Sequence, residues 1–153
     1  MDTRTWIVLA DAASARMYAP QANVRDWTLA AELSHPQSRA RESELGRDKP
    51  GRDKPGRVKQ SAGGRSAMER PTPRKKVEME KFARQIAEAL DDALVRKAYE
   101  RLVLVAPPAF LGVLRGTLAE RVAQRISATI EKDYLHLDPP ELRERVREQL
   151  GAR

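Results

Sequence analysis

The chemistry written most plainly in this chain is that of fixed positive charge. Of its 29 Lys and Arg, 13 fall between His35 and Lys76, against 5 Asp and Glu. That stretch of 42 residues therefore carries a net +8, while the other 16 basic and 17 acidic residues sum to −1. Cations at such density neutralise phosphates and release the counterions condensed on them, which gives strong binding to polyanions at low salt. The residues placed to do this are Arg47, Lys49, Arg52, Lys54, Arg57, Lys59, Arg65, Arg70, Arg74, Lys75 and Lys76. Gly63 and Gly64 lie among them, and glycine lets a backbone approach a phosphate closely. The stretch holds no Phe, Trp or Tyr, so bases have no platform on which to stack. The expected contact is with an RNA backbone, with little sequence preference. The alternative is a solvated insert without a partner.

The same stretch holds five of the eight Gly and five of the ten Pro. It includes a tandem repeat, Gly46-Arg47-Asp48-Lys49-Pro50 followed by Gly51-Arg52-Asp53-Lys54-Pro55 and then Gly56-Arg57. Pro blocks regular helix and Gly permits tight turns. With Val58 as its one β-branched aliphatic residue, the stretch has too little apolar surface to offset the entropy of ordering. A long basic flexible loop over 35–76 is expected, of the kind that is usually functional or a linker. Gly63-Gly64-Arg65-Ser66 sits between the repeat and Arg74-Lys75-Lys76, which marks the entry to the next helix. The glycine pair reads either as a flexible joint or as a tip held in a narrow site.

Other chemistries find less material. There is no Cys, which excludes disulfides, thiolate metal sites and cysteine nucleophiles. The two His, His35 and His136, are far apart, so no metal site is expected. Asp11 ends an apolar run where metal-dependent nucleases of ribonuclease-H-like fold place a carboxylate. Such chemistry needs converging partners, and Glu32, Asp91 and Asp92 stand in no motif. Asp11 reads as a turn residue, His35 before Pro36 as a surface or hinge histidine, and Arg115 as a solvated or paired cation. No Ser, His and Asp set supports nucleophilic catalysis. No catalytic residue and no cofactor are expected. The apolar run Trp6–Ala10 is too short for a secretory signal or a membrane span, so the expected location is cytoplasmic, with no membrane partner.

The elements around the basic stretch are legible from their periods. Trp6–Ala10 suits a strand covered on both faces, and Ala15–Ala19 follows after a turn as its hairpin partner. Trp27, Leu29, Ala31 and Leu33 alternate, which predicts a third strand with all four on one face. Phe82, Ile86, Ala89 or Leu90, and Ala93 or Leu94 then recur at three or four residues, predicting an amphipathic helix over roughly 76–97. Leu102–Ala106 is the most apolar stretch and is placed as a central strand, stopped by Pro107-Pro108. Leu111, Leu114, Leu118 and Val122 predict one further helix, Ile126, Ala128 and Ile130 an edge strand, and Leu142, Val146 and Leu150 a last helix capped by Asp138 before Pro139. The order β-β-β-loop-α-β-α-β-α makes residues 1–153 one domain of α/β class, a ribonuclease-H-like mixed sheet of about five strands with covering helices.

Several of these segments, taken together, match a known set. Trp6–Ala12 with Ala15-Arg16-Met17-Tyr18, Leu33-Ser34-His35-Pro36, Glu44-Leu45-Gly46-Arg47, Phe82-Ala83 and Leu102–Pro108 with Leu111-Gly112 and Leu114-Arg115 resemble the bacterial host attachment protein family. Its members are described as required for attachment to host cells. That family in turn resembles the middle domain of archaeal and eukaryotic class I release factors and of Pelota. In release factors a Gly-Gly-Gln loop promotes ester hydrolysis in the peptidyl-transferase centre. Here Gly63-Gly64-Arg65 stands in a comparable place before Phe82-Ala83-Arg84, with Arg65 in place of the Gln.

The favoured function is a non-enzymatic, translation-associated factor that binds ribosome or RNA through the basic stretch, with ribosome, rRNA or tRNA as the partner that the release-factor resemblance implies. The alternative is a host attachment protein acting indirectly in adhesion. A peptidyl-tRNA or nucleic-acid hydrolase is the second alternative, and the replacement of Gln by Arg65 counts against it.

Overall fold

The structure, a computed structural model, describes residues 4–20, 27–36 and 72–151. The stretch from 37 to 71 lies outside the described residues, and with it most of the expected loop. The elements in chain order are β1 (Thr5–Ala10), β2 (Ser14–Ala19), β3 (Thr28–Ser34), α1 (Pro73–Val95), β4 (Arg101–Val105), α2 (Pro108–Thr117), α3 (Glu120–Ala123), β5 (Ile126–Ile130) and α4 (Pro139–Gln149). The strands form one five-stranded sheet in the order β3-β2-β1-β4-β5. β1 pairs antiparallel with β2 and parallel with β4, β2 pairs antiparallel with β3, and β4 pairs parallel with β5. This is the mixed, ribonuclease-H-like sheet that the element order predicts.

The apolar runs in β1 and β4 follow from this order, because both strands are internal and successive residues point to opposite layers, each of them buried. Trp6, Val8 and Ala10 of β1, with Leu102 and Leu104 of β4, face a core built with Phe82, Ile86 and Leu90 of α1, Phe110 and Leu114 of α2 and Val122 of α3. Ile7 and Leu9, with Val103 and Val105, face the opposite layer, where Leu142 and Val146 of α4 cover them. Three helices therefore cover one face and one helix covers the other.

Four features depart from the sequence expectation. First, β3 does not keep its apolar residues on one face. A bulge opposite Met17 and Tyr18 inserts Ala30, and an added residue flips the face of everything beyond it. Ala31 and Leu33 pack on the layer with α1, whereas Trp27 packs on the layer with α4 and lies 5.9 Å from the Tyr18 ring. Leu29 is left 46% exposed on the sheet edge. Second, the single helix expected from Leu111 to Val122 is broken. Leu118 and Ala119 are extended, with ψ near 143° and 149°, and α3 restarts at Glu120. The turn keeps Leu118 and Val122 in the core although they belong to different axes.

Third, α1 starts three residues earlier than expected, because Thr72 caps it, its hydroxyl oxygen accepting from the Lys75 amide at 3.1 Å, and Pro73 occupies the first helical position. Arg74 and Lys75 are thus helical, not loop. Fourth, Asp138 stands at the N-cap of α4 as predicted, yet its side chain makes no capping bond. The second helical position is Pro140, which has no N–H to donate.

Candidate functional site

The start of α1 holds the three expected cations that lie among the described residues. Arg74, Lys75 and Lys76 all fall in the first turn, and that turn contains no acidic residue. The N-terminus of a helix carries roughly +0.5 of an elementary charge and four unsatisfied amides, so cations there oppose the dipole by about 0.3–1 kcal/mol each. The sequence makes the opposite of the stabilising choice at three successive positions. Arg74 and Lys76 are exposed and make no side-chain ion pair among the described residues. One turn on, Lys76 and Arg84 flank Glu80 along a groove of about 530 Å³ between α1 and α2, whose other wall includes Gly112 and Gly116. A Cβ added at either glycine would meet nothing within 4 Å. These glycines leave α2 open on this side and do not serve close packing inside the fold.

Beneath this turn the body is tied tightly. His35, at the end of β3, donates or accepts through Nε2 to Glu78 Oε1 at 2.8 Å, and the two residues are only 6% and 5% exposed. The His35 ring stacks on Phe82 with centroids 5.6 Å apart, and its backbone amide donates to Ala13 at 2.8 Å. Glu78 also lies 3.7 Å from Lys81. The pair joins the residue that follows β3 to the first buried turn of α1. His35 is therefore a buried structural partner, which overturns the surface half of the surface-or-hinge expectation. Glu78 went unremarked in the sequence, although the signal is there: it stands four residues before Phe82, on the same stripe as Ile86 and Leu90. A carboxylate on an apolar stripe needs a buried partner.

The remaining expected residues separate. Asp11 accepts from the amides of Ala13 and Ser14, both at 2.8 Å, and is the turn residue the sequence suggests. Glu32 lies 3.5 Å from Arg16. Asp91 takes Arg121 in a two-point contact at 2.6 and 2.9 Å, and that bond holds the Asp91 carboxyl below its ordinary range and the Arg121 guanidinium above its own. Arg115 is exposed on α2. Among the described residues no group of three or more His, Cys, Asp or Glu could hold a metal ion. No described helix is long and apolar enough to cross a membrane. Arg47, Lys49, Arg52, Lys54, Arg57, Lys59, Gly63, Gly64, Arg65 and Arg70 lie outside the described residues.

Comparison with family profiles matches residues 6–146 to the family described as "Protein required for attachment to host cells". The chain belongs to that family. The matched range begins in β1 and ends in α4, so it takes in the whole sheet and both covering layers. No curated protein matches the chain. The likeness to the release-factor middle domain finds no support in these comparisons. It leans on Gly63-Gly64-Arg65, which the structure does not describe, and on an element order shared by many mixed sheets.

Proposed function

We propose that this protein supports attachment to host cells as a binding module and not as an enzyme. It grips a polyanion through the first turn of α1 and the cationic stretch before it. The observation that carries this reading is the reversed charge at the start of α1. Arg74, Lys75 and Lys76 occupy the one end of the helix where cations oppose the dipole. An anion held there gains from the helix dipole and from the exposed Arg74 and Lys76 side chains together. A local choice that works against stability is expected where function requires it.

RNA is the polyanion we favour, because a net +8 without Phe, Trp or Tyr suits phosphate contact without base stacking. A translation-associated role would make that RNA ribosomal or transfer RNA. The route from RNA to adhesion would then be indirect and cytoplasmic.

Binding to purified ribosomes and to a structured RNA over a salt series tests the reading. The expected result is a logarithm of affinity that falls linearly with the logarithm of salt concentration. Deleting residues 46–70, which spares the Thr72 cap, should flatten that slope. Affinity independent of salt, or unchanged both in the deletion and in Arg74→Glu/Lys76→Glu, would reject it. Surface labelling of intact cells tests the route: a protein excluded from the label fits an indirect role, and one readily labelled acts at the surface itself.

A further inference from the structure

At the other end of α1 a second groove, of about 440 Å³, is lined by Arg4, Leu94, Val95, Lys97, Tyr99, Glu100, Arg121 and Arg125. Its lining carries four cations and one carboxylate. Two of the cations serve the fold. Arg121 is bound to Asp91, and Arg4 donates to the Lys97 carbonyl and lies 3.9 Å from Glu100. The other two do not. Lys97 and Arg125 make no side-chain hydrogen bond or ion pair among the described residues.

Lys97 also stands where its residue type is least comfortable. It follows the C-cap Arg96 with φ 63°, the left-handed conformation that favours glycine. The helix end does not need its ammonium group. The Ala98 amide donates to Ala93, the Lys97 amide to Leu94 and the Arg96 amide to Asp92, so three of the last four helix carbonyls are satisfied by backbone. A lysine is thus kept in a glycine position with its cation left over for the groove. Beside it, Val95 is 61% exposed, next to partly buried Leu94. The Tyr99 hydroxyl is not offered to a ligand, since it donates to the Leu90 carbonyl at 2.7 Å.

We infer that this groove is a binding site for a small organic dianion, such as a phosphate monoester, carried on an apolar body. Lys97 and Arg125 take the two negative charges, and Leu94 and Val95 take the apolar part. The volume falls within the range of about 300–1,000 Å³ typical of small-molecule sites. The site lies at the opposite end of a 23-residue helix from Arg74, about 34 Å away, and is independent of the polyanion reading.

Titration of the full chain with adenosine 5′-monophosphate, followed by backbone amide NMR, tests this. Saturable shifts are expected at residues 94–100 and 121–126, and they should persist in Arg74→Glu/Lys76→Glu. Adenosine alone and inorganic phosphate alone should each bind at least tenfold more weakly. Arg125→Ala and Lys97→Gly should each weaken binding about tenfold. Lys97→Gly should at the same time raise the melting temperature by relieving the backbone, which separates lost binding from lost folding. No saturable shift at these residues, equal binding of adenosine or of phosphate alone, or parental affinity in both variants would overturn the assignment.

Discussion

The two ends of α1 carry similar charge and opposite physics. At the C-terminal end, Arg96 and Lys97 stand where the helix dipole is negative and cations are welcome. Nearby charge there is largely matched, with Asp91 bound by Arg121 at two points and Arg4 lying near Glu100. At the N-terminal end, Arg74, Lys75 and Lys76 stand where the dipole is positive, with no acid in the turn. Folding uses Arg4 and Arg121 of the first set, whereas Arg74 and Lys76 of the second are exposed and make no ion pair among the described residues. Counting Lys and Arg does not separate these cases, whereas their position relative to the helix axis does.

The largest expected effect comes from the ties beneath the N-terminal end. His35→Ala removes the buried partner of Glu78 and the ring stacked on Phe82. Leaving a buried polar group short of its hydrogen bond typically costs about 1–3 kcal/mol, the lost ring packing adds to it, and denaturant unfolding should register a loss at the upper end of that range or above. A near-parental midpoint would mean that the N-terminal end is not anchored by this contact. The next effect lies at the C-terminal end. Burial pushes the Tyr99 hydroxyl up to about 12, with the Asp91 charge adding to it. Its folded pKa is above the unfolded value near 10, so the protonated form is favoured by folding. This stabilisation is complete below pH 10 and is lost as pH rises toward 12. Tyr99→Phe should cost about 1 kcal/mol at neutral pH, through the lost bond to Leu90, and should make unfolding less sensitive to pH between 10 and 12.

The smallest effect is at Asp91 and Arg121. Asp91→Asn should lower stability slightly, and the difference should fade at high salt, as expected for an exposed pair. Because the Asp91 pKa is lowered on folding, this contribution is complete above the ordinary carboxylate value and is lost as pH falls from there through the lowered folded value.

Much of the frame was legible in the sequence because its signals are periodic. The unbroken apolar runs of β1 and β4 mark strands buried on both faces, and the 82–86–90 spacing marks the buried stripe of α1. What escaped is what a single added residue or a distant partner decides. Ala30 turns Trp27 and Leu33 to opposite layers, and a bulge leaves no mark on an alternating pattern read by type alone. Leu118 and Val122 keep helical spacing across a break because both still face the core. The cationic stretch was evident from composition, but the reversal of charge against the helix dipole depended on where α1 begins, and Thr72 sets that point. The groove at the far end joins Arg4, Lys97, Arg121 and Arg125, whose separation in sequence gives no hint of their meeting.

The central claim is that the first-turn cations of α1 are held for a polyanion at the expense of the helix. Arg74→Glu/Lys76→Glu tests it most directly, with unfolding free energy and RNA affinity measured on the same preparation at low salt. The account predicts that the two move in opposite directions, with stability rising by about 1 kcal/mol as the dipole term is reversed and affinity falling at least tenfold. A variant that is less stable than the parent, or that binds RNA as tightly, would contradict it.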